Sequence, residues 1–273
     1  MEFITILKLI HLSDLHFGTE SPAIVDALIK AIEEIAPNYA ILSGDFTQVG
    51  SREEFELAQS FIHKLPCEML CVPGNHDVPA YNLIERFVSP FDKYKHYIQD
   101  ELNPFYHEKK ITIAGLNSAR RCLAHWNWAN GAISASQRKI LKKRMENDQS
   151  AWRICFFHHP IHKVDEMPLD VTVFGRKRTL KTLHDLKFDL VLTGHVHHAS
   201  ISTLGDEEHQ TIYLSASTAL SSRTRSQENG FNVISLHDDQ MHIDIYALQG
   251  NSFSIMKSFS QKKLHHESFS KSS

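Results

Sequence analysis

The chain has 273 residues, of which 42% are hydrophobic and 22% charged, so it can bury a sizeable core and is neither disordered nor fibrous. The formal net charge of -3 argues against a nucleic-acid partner, and no apolar run reaches the roughly 18 residues of an integral membrane segment. Histidine is unusually frequent, with 19 residues, which indicates metal binding or proton transfer.

The first third of the chain is predicted to alternate strands and helices. One helix begins at Ser21-Pro22, where serine caps the helix and proline takes its first position, and another begins at the capping box Ser51-x-x-Glu54. The β-branched, apolar segments that are predicted to form buried strands are residues 4–12, 39–42 and 68–72. Strands and helices in this order predict a mostly parallel sheet.

The rest of the chain continues this pattern and then changes. Helical stretches broken by proline are expected within residues 81–105, and a helix begins at the capping box Ser134-x-x-Gln137. Further buried strands are expected at residues 111–116, 152–157 and 188–192, with a helix near 178–186 between the last two. After His198, strands joined by turns at residues 201–204, 211–214, 231–236 and 241–248 indicate an antiparallel half-sheet.

No linker interrupts the pattern, so we predict a single domain over residues 1–259. The last stretch, residues 260–273, contains five serines and is expected to be a polar, flexible tail. The cysteines form neither a C-x-x-C motif nor a paired zinc pattern, which favours reduced thiols in a cytoplasmic protein. The four are Cys67, Cys71, Cys122 and Cys155.

Polar residues follow the carboxyl end of five predicted strands. Ligands of open α/β sheets bind at that edge, and in three of the five a glycine directly before the polar residue permits a tight turn. Any one of the motifs alone would be weak evidence, but five in order at five strand ends argue against unrelated turn residues. The motifs are Ser13-Asp14-Leu15-His16, Ser43-Gly44-Asp45, Pro73-Gly74-Asn75-His76-Asp77, Phe157-His158-His159-Pro160 and Thr193-Gly194-His195-Val196-His197.

The side chains of these motifs suit two adjacent metal ions. Asp and His bind Zn, Mn, Fe or Ni, and the lack of Cys argues against a structural zinc site. Asp14 and His16 are two residues apart, as are His195 and His197, and in an extended segment such pairs point the same way. Asp45 is the natural bridging carboxylate. Two ions about 3.5–4 Å apart can clamp the attacking and leaving oxygens of a phosphoryl group.

Several residues near the strand ends are candidates for substrate binding through phosphate. Asn117 and Arg120 follow a strand, and Arg223 and Arg225 lie in the turn-rich loop at residues 221–230. The guanidinium suits phosphate because its planar fork of donors matches the phosphate oxygens. A solvated surface position is an equally good interpretation of each arginine.

In this order, the motifs D-x-H, G-D, G-N-H-D, H-x-P and G-H-x-H resemble those of the calcineurin-like metallophosphoesterases, over about residues 6–200 and more loosely to about 248. The segment His11-Leu12-Ser13-Asp14-Leu15-His16-Phe17-Gly18, with Gln48-Val49-Gly50 after Asp45, is most similar to the bacterial cyclic-nucleotide phosphodiesterase branch. The resemblance implies an α/β fold, a four-layer sandwich of two mixed β-sheets flanked by helices.

The resemblance also implies a role for each motif residue. His76 would protonate or stabilise the leaving oxygen, with Asp77 as a candidate orienting partner, and His159 would be mainly structural. Asp45 would bridge the two metals together with a hydroxide. The remaining metal ligands would be Asp14, His16 and His197 for the first ion and Asn75, His158 and His195 for the second.

The function implied by the resemblance is that of a dinuclear-metal-dependent phosphoester hydrolase with two Mn, Fe or Zn ions. We expect a phosphodiesterase on small substrates such as 3′,5′-cyclic nucleotides, in which a metal-bridging hydroxide attacks phosphorus in line. One alternative is a nucleotide-linked lipid pyrophosphatase of the UDP-diacylglucosamine type, which needs an amphipathic helix within residues 81–105. Another is a non-catalytic metal-binding scaffold, although such relatives typically lose ligands or the leaving-group histidine. A repair nuclease would need a basic face and further domains.

Overall fold

The computed structural model describes residues 6–122, 129–162, 172–221 and 227–263. Within these ranges, two six-stranded mixed sheets pack face to face. In order of pairing, the first sheet contains β14 (Ser252–Lys262), β13 (Gln240–Gln249), β12 (Gly230–His237), β1 (Leu7–Leu12), β2 (Tyr39–Leu42) and β3 (Glu68–Cys71). The second contains β10 (Ser200–Gly205), β11 (Gln210–Ser215), β9 (Leu190–Thr193), β7 (Trp152–Phe156), β5 (Ile111–Gly115) and β4 (Phe105–His107). The short strands β6 (Gly131–Ala132) and β8 (Val173–Phe174) form a separate parallel pair.

Helices cover the outer faces of both sheets. They are α1 (Pro22–Ile35), α2 (Arg52–Ile62), α3 (Leu83–Val88), α4 (Asp92–Tyr97), α5 (Ala135–Arg144) and α6 (Arg176–Asp185). Across the described ranges, none of these helices has the length and apolar character needed to cross a bilayer.

Three buried apolar layers hold the elements together. In β1, Leu9 packs in the layer between the two sheets, whereas the next residue, Ile10, packs against Leu28 of α1 on the outer face. The third layer joins the second sheet to Leu141 of α5 and Leu183 of α6. Since the central strands are buried on both faces, their sequences are nearly continuous apolar runs, with exceptions such as His11 in β1. The predicted four-layer sandwich is confirmed.

Local sequence signals determine where the helices begin. Helix α1 begins at Pro22 as predicted, but within the described residues the Ser21 side chain makes no capping hydrogen bond, so that part of the prediction is wrong. Helix α2 begins with a formed capping box. In that box the Glu54 N–H donates to Ser51 Oγ, and the Ser51 N–H donates to Glu54 Oε2, both at 3.2 Å. Glu54 Oε2 also accepts the Val49 N–H at 2.9 Å, which ties α2 to the loop that follows β2.

The strands after His198 do not form one antiparallel half-sheet, so that expectation is corrected. Strands β10 and β11 join the second sheet, where β11 runs parallel to β9, whereas β12 and β13 join the first sheet beside β1. Both sheets need the same alternation of apolar residues. Periodicity therefore predicts these strands without predicting their partners.

Strand β14 extends into the segment predicted to be a flexible tail. That prediction is wrong for residues 260–262, which belong to the strand. The strand pairs antiparallel with β13 from Ser252 to Lys262. An edge strand with much of its surface in water has a weak hydrophobic pattern, and the backbone of β13 supplies its pairing. Residues 264–273 lie outside the described residues.

Ser51→Ala is expected to lower the free energy of unfolding by about 1 kcal/mol, because the Glu54 N–H loses its side-chain acceptor. Ser60→Ala is the matched control: Ser60 is exposed on the same helix, its hydroxyl donates to the Glu56 carbonyl, and we expect a change within about 0.5 kcal/mol. Urea unfolding followed by circular dichroism measures both. Equal losses in the two variants would show that α2 does not depend on its cap.

Candidate metal centre

The carboxyl ends of five strands meet at one edge of the sandwich. Strands β1, β2 and β3 run parallel in the first sheet, and β7 and β9 run parallel in the second. Within the described residues, the ligand atoms of Asp14, His16 and His197 lie within 4.8 Å of one another, as do those of Asp14, Asp45 and His158. The topology therefore brings side chains from distant parts of the chain to one place.

The first group consists of Asp14, His16 and His197, all buried. His197 Nε2 lies 3.1 Å from Asp14 Oδ1, and His16 Nε2 lies 3.7 Å from the same oxygen. The two Nε2 atoms are 3.1 Å apart. Three ligand atoms thus face one small volume, as the ligands of a single ion do.

The second group is built around His158. His158 Nε2 lies 3.1 Å from Asp45 Oδ2 and 3.2 Å from His195 Nδ1. The same carboxylate oxygen of Asp45 is 3.8 Å from His16 Nε2 in the first group. Asp45 therefore lies between the two groups, which is where a bridging carboxylate belongs.

Both chain neighbours of Asn75 approach Asp45. The N–H of the following residue, His76, donates to Asp45 Oδ1 at 2.8 Å. A Cβ on the preceding residue, Gly74, would lie 2.1 Å from that oxygen, so only glycine allows this approach. Among the described residues, the buried Oδ1 of Asn75 has no hydrogen-bond donor. A buried carbonyl oxygen without a donor is costly, and a cation ligand is the role that explains it.

Backbone carbonyls orient two of the imidazoles. His158 Nδ1 donates to the Ser43 carbonyl at 2.8 Å, and His16 Nδ1 donates to the Thr47 carbonyl at 3.3 Å. The Nε2 atom of His158 consequently faces Asp45 Oδ2 and His195 Nδ1, and that of His16 faces His197 Nε2, each 3.1–3.2 Å away. Lone pairs at that distance repel unless a cation or proton lies between them. The donor set of carboxylate, amide and imidazole groups fits two borderline metal ions.

The charges of the site shift several pKa values. Burial opposes protonation of His158, but the Asp45 carboxylate outweighs it and raises the pKa of His158 to about 9. Burial also acts to raise the pKa of Asp14 and Asp45, yet the surrounding histidines hold both pKa values well below their usual range. Burial lowers the pKa of His195 to about 3. Asp14 and Asp45 are therefore ionised and His195 is neutral near pH 7, whereas the His158 ring carries a proton that it must release to bind a metal.

Five of the seven predicted ligands have a left-handed backbone. The φ angles are 53° for Asp14, 48° for His16, 56° for Asp45, 70° for His195 and 53° for His197. Such a conformation costs on the order of 1–3 kcal/mol per residue and persists at sites where function requires it. The expectation that Asp14/His16 and His195/His197 lie in extended segments is wrong. The side chains of each pair converge because both residues have a left-handed backbone, which bends the loop toward the cluster.

His76 lies at the edge of the cluster and is half-buried. Its ring contacts that of His16 edge-on, with centroids 4.8 Å apart, and its ligand atom lies within 4.8 Å of those of His16 and Asp45. Its Nδ1 donates to the Gln48 carbonyl at 2.6 Å. The sequence predicted His76 as a site residue, but it did not predict that the Gln48 carbonyl accepts a hydrogen bond from it.

Asp77 does not orient His76, so that prediction is corrected. The buried carboxylate of Asp77 accepts the N–H groups of Gly74, at 2.8 Å, and Thr47, at 3.0 Å. It also accepts the Thr47 hydroxyl at 3.1 Å. These bonds fix the turn that contains Asn75 against the loop after β2. Burial, with the nearby charge of Asp45, raises the pKa of Asp77 to about 7.

His159 lies beside the second group. Its ring centroid is 4.6 Å from that of His195, and its ligand atom lies within 4.8 Å of those of His158 and His195. Nδ1 of His159 bonds Ser118 Oγ at 2.8 Å, and a Cβ at Gly131 would lie 2.6 Å from the ring. The ring is thus wedged between the cluster and the loop after β5.

Two of the predicted phosphate-binding residues, Asn117 and Arg120, bond within their own loop and to helix α5. Asn117 Oδ1 accepts the Ala119 N–H at 2.8 Å. The Arg120 guanidinium donates to the carbonyls of Asn117 and Ala119 and to Gln137 Oε1, at 2.7–2.8 Å. These bonds close the loop onto α5 and give neither residue a described contact with the cluster. The other two predicted residues, Arg223 and Arg225, lie outside the described residues.

Sequence reasoning missed the residues whose main-chain carbonyls hold the histidines. They are Ser43, Thr47 and Gln48, which accept from His158, His16 and His76. Every residue has a main-chain carbonyl, so the residue type does not show which carbonyls accept a hydrogen bond from a histidine. Only the position of these residues around Asp45 could have pointed to them.

The chain belongs to the calcineurin-like phosphoesterase family, whose profile matches residues 7–199. Members of this family are metal-dependent phosphoester hydrolases with a dinuclear metal centre. The matched range includes all five strand-end motifs, so the family resemblance expected from the sequence is confirmed.

Three individual proteins that match this chain share less than 30% sequence identity with it. The chain is 29% identical over 167 residues to "Probable glycerophosphodiester phosphodiesterase GpdQ" of Arcobacter nitrofigilis, which covers 60% of this chain and 58% of that protein. It is 23% identical over 223 residues to a "Probable cyclic nucleotide phosphodiesterase" of Synechococcus sp., which covers 73% of this chain and 76% of that protein. A dimetal phosphatase from Danio rerio superposes with a TM-score of 0.67 at 12% identity, over 94% of this chain and 99% of that one, and shows the shared fold.

Asp45→Ala is expected to impair both metal sites, because the Asp45 carboxylate lies between the two ligand groups. Metal content measured by mass spectrometry, after loading with Mn²⁺ or Zn²⁺ and desalting, reports the loss. Asp26→Ala, at an exposed position on α1, is the matched control and should retain the wild-type content. Full hydrolytic activity in Asp45→Ala, or loss of only one ion, would contradict a bridging role.

Proposed function

We propose that the protein is a phosphodiesterase on small phosphoesters, with 3′,5′-cyclic nucleotides as the favoured substrate class. The observation that supports this most directly is the position of Asp45 between two carboxylate–imidazole groups, with His76 at their edge. The relatives named as a cyclic nucleotide phosphodiesterase and a glycerophosphodiester phosphodiesterase favour a diester over a monoester.

We further propose that the site binds two ions of Mn, Fe or Zn. Asp14, His16 and His197 would hold one ion, Asn75, His158 and His195 would hold the other, and Asp45 would contact both. When bound, such ions supply Lewis-acid chemistry, because they neutralise phosphoryl oxygens and lower the pKa of water.

His76 is the candidate proton donor to the leaving oxygen. The Gln48 carbonyl can only accept, so His76 Nδ1 is fixed as a donor at 2.6 Å. When the ring is doubly protonated, its Nε2–H is available to the leaving oxygen, while the carbonyl holds the ring in place. His76 is half-buried, so part of the residue is accessible to a substrate.

The charge around the site favours a diester. A diester has one negative charge and two substituents, whereas a monoester has a more highly charged terminal phosphate that needs additional fixed positive charge. The Arg120 guanidinium is bonded to main-chain carbonyls and Gln137, so it is occupied within the protein. A substrate role for Arg223 and Arg225 remains a prediction.

A second candidate function, hydrolysis of a nucleotide-linked lipid pyrophosphate, is favoured by one observation. The segment after His76 exposes apolar side chains: Tyr81 is 84% exposed, Ile84 80% and Val88 79%. Acyl chains can cover such a surface. Helix α3, however, has only six residues, which is short for the amphipathic helix that this alternative predicts.

We also propose a cytoplasmic location. Among the described residues, none of the four cysteines, Cys67, Cys71, Cys122 and Cys155, forms a disulfide, and burial raises the pKa of Cys67 to about 11. Thiols of this kind are typical of a reducing compartment.

His76→Ala is expected to keep its metal content and to lose about 10²–10⁴-fold in kcat on diesters with poor leaving groups. The loss should shrink for good leaving groups, which need little protonation. A series of aryl phosphodiesters of graded leaving-group acidity measures this dependence. His63→Ala, at an exposed histidine after α2, is the control and should match the wild type. Loss of metal from His76→Ala would identify a ligand and overturn the role.

An aryl phosphodiester is expected to be cleaved faster than the matching monoester, because the described part of the site provides a leaving-group donor but little additional positive charge. Bis(4-nitrophenyl) phosphate and 4-nitrophenyl phosphate, with a 3′,5′-cyclic nucleotide and a nucleotide-linked lipid pyrophosphate, form the panel. A clear monoester preference at saturating metal would overturn the diesterase proposal. A preference for the lipid substrate that Ile84→Ser abolishes would support the second candidate instead.

A further inference from the structure

A buried polar cluster lies below the candidate metal centre and supplies none of its ligands. It consists of His11 in β1, Ser43 after β2 and Asn232 in β12, each with 0% exposure. The register places His11 beside Ile41 of β2 and Asn232 of β12, so the cluster joins three neighbouring strands. Polar side chains at such depth are costly unless they bond one another.

The bonds in this cluster fix one form of the His11 ring. Asn232 Nδ2 lies 3.1 Å from His11 Nδ1, and it also lies 3.4 Å from the Ser215 carbonyl, which can only accept. The amide is therefore the donor and His11 Nδ1 the acceptor. His11 Nε2, 2.9 Å from Ser43 Oγ, then has the proton and donates it. Burial lowers the pKa of His11 to about 3, which agrees with this neutral form.

Ser43 connects this ring to the ligands. Its carbonyl accepts the Nδ1–H of His158 at 2.8 Å, the bond that turns His158 Nε2 toward Asp45. The next residue along the chain, Gly44, accepts the Asp14 N–H through its carbonyl at 3.0 Å. A shift of Ser43 would therefore displace His158 directly and the loop that contains Asp45 indirectly.

We propose that His11 is a positioning residue for the metal centre. By holding the Ser43 hydroxyl, it fixes the carbonyl that orients His158, and so sets the affinity of the ligand group formed by Asn75, His158 and His195. His11 itself touches neither substrate nor metal. This inference deepens the proposed function and rests on it for the identity of the bound group.

The test compares variants of metal-free protein titrated with Mn²⁺ by calorimetry. His11→Leu retains apolar volume but leaves the Ser43 hydroxyl and the Asn232 amide without their ring partner. We expect one Mn²⁺ binding step to weaken by about 10–100-fold, the range for residues that orient metal ligands, while the other step, which feels the change only through Asp45, weakens much less. His11→Gln should recover most of this affinity, because its amide offers both a donor and an acceptor.

His209→Leu is the matched control, since His209 is also buried and its Nε2 bonds the Phe188 carbonyl at 2.9 Å, at the amino end of β11 and away from the ligands. It should lower the melting temperature without changing either Mn²⁺ step. If His11→Leu does the same, the role is structural only and the proposal is overturned.

Two further measurements keep the test decisive. If His11→Leu does not fold, Ser43→Ala removes the hydroxyl but keeps the carbonyl, and it should weaken the same Mn²⁺ step. Unchanged Mn²⁺ affinity in Ser43→Ala would overturn the proposal. If the wild type binds two Mn²⁺ ions but cleaves no phosphodiester, the proposed function fails while the positioning role is still judged on Mn²⁺ affinity.

Discussion

A buried carboxylate, that of Asp45, is the group on which the site depends. It has 1% exposure and lies between His158, at 3.1 Å, and His16, at 3.8 Å. An ionised carboxylate at that depth is tolerated only when opposite charge and hydrogen bonds surround it. The glycine at position 74 and the His76 N–H complete this environment. The ligand groups from both sheets are arranged around this one charge.

Five of the candidate ligands have a left-handed backbone, and this conformation has a free-energy cost. At on the order of 1–3 kcal/mol each, these conformations persist only where the surrounding structure holds them. The three apolar layers provide that support, because they fix β1, β2, β7 and β9 on both faces and leave their carboxyl ends little freedom. The favourable packing of the strands thus offsets the conformational cost of the left-handed residues and holds the candidate ligands in place.

Histidine orientation in the site is set mainly by main-chain carbonyls. Ser43, Thr47 and Gln48 each accept from the Nδ1 of one imidazole, so each ring presents Nε2 toward the cluster. All three acceptors lie in the loop after β2, within three residues of Asp45. A single loop therefore supplies the candidate bridging carboxylate and also orients three rings that come from other strands.

Sequence alone determined whatever depends on local pattern. The apolar runs of the central strands and the capping boxes at Ser51 and Ser134 predicted strands and helices. The five strand-end motifs carried the resemblance to the family, and that resemblance implied the sandwich. Only the tertiary structure decided which sheet receives β10 to β13, how far β14 extends, and that Arg120 bonds its own loop. It also paired His11 with Asn232, 221 residues away. Periodicity and capping are properties of neighbouring residues, whereas strand partners and buried hydrogen bonds depend on chain segments that only folding brings together.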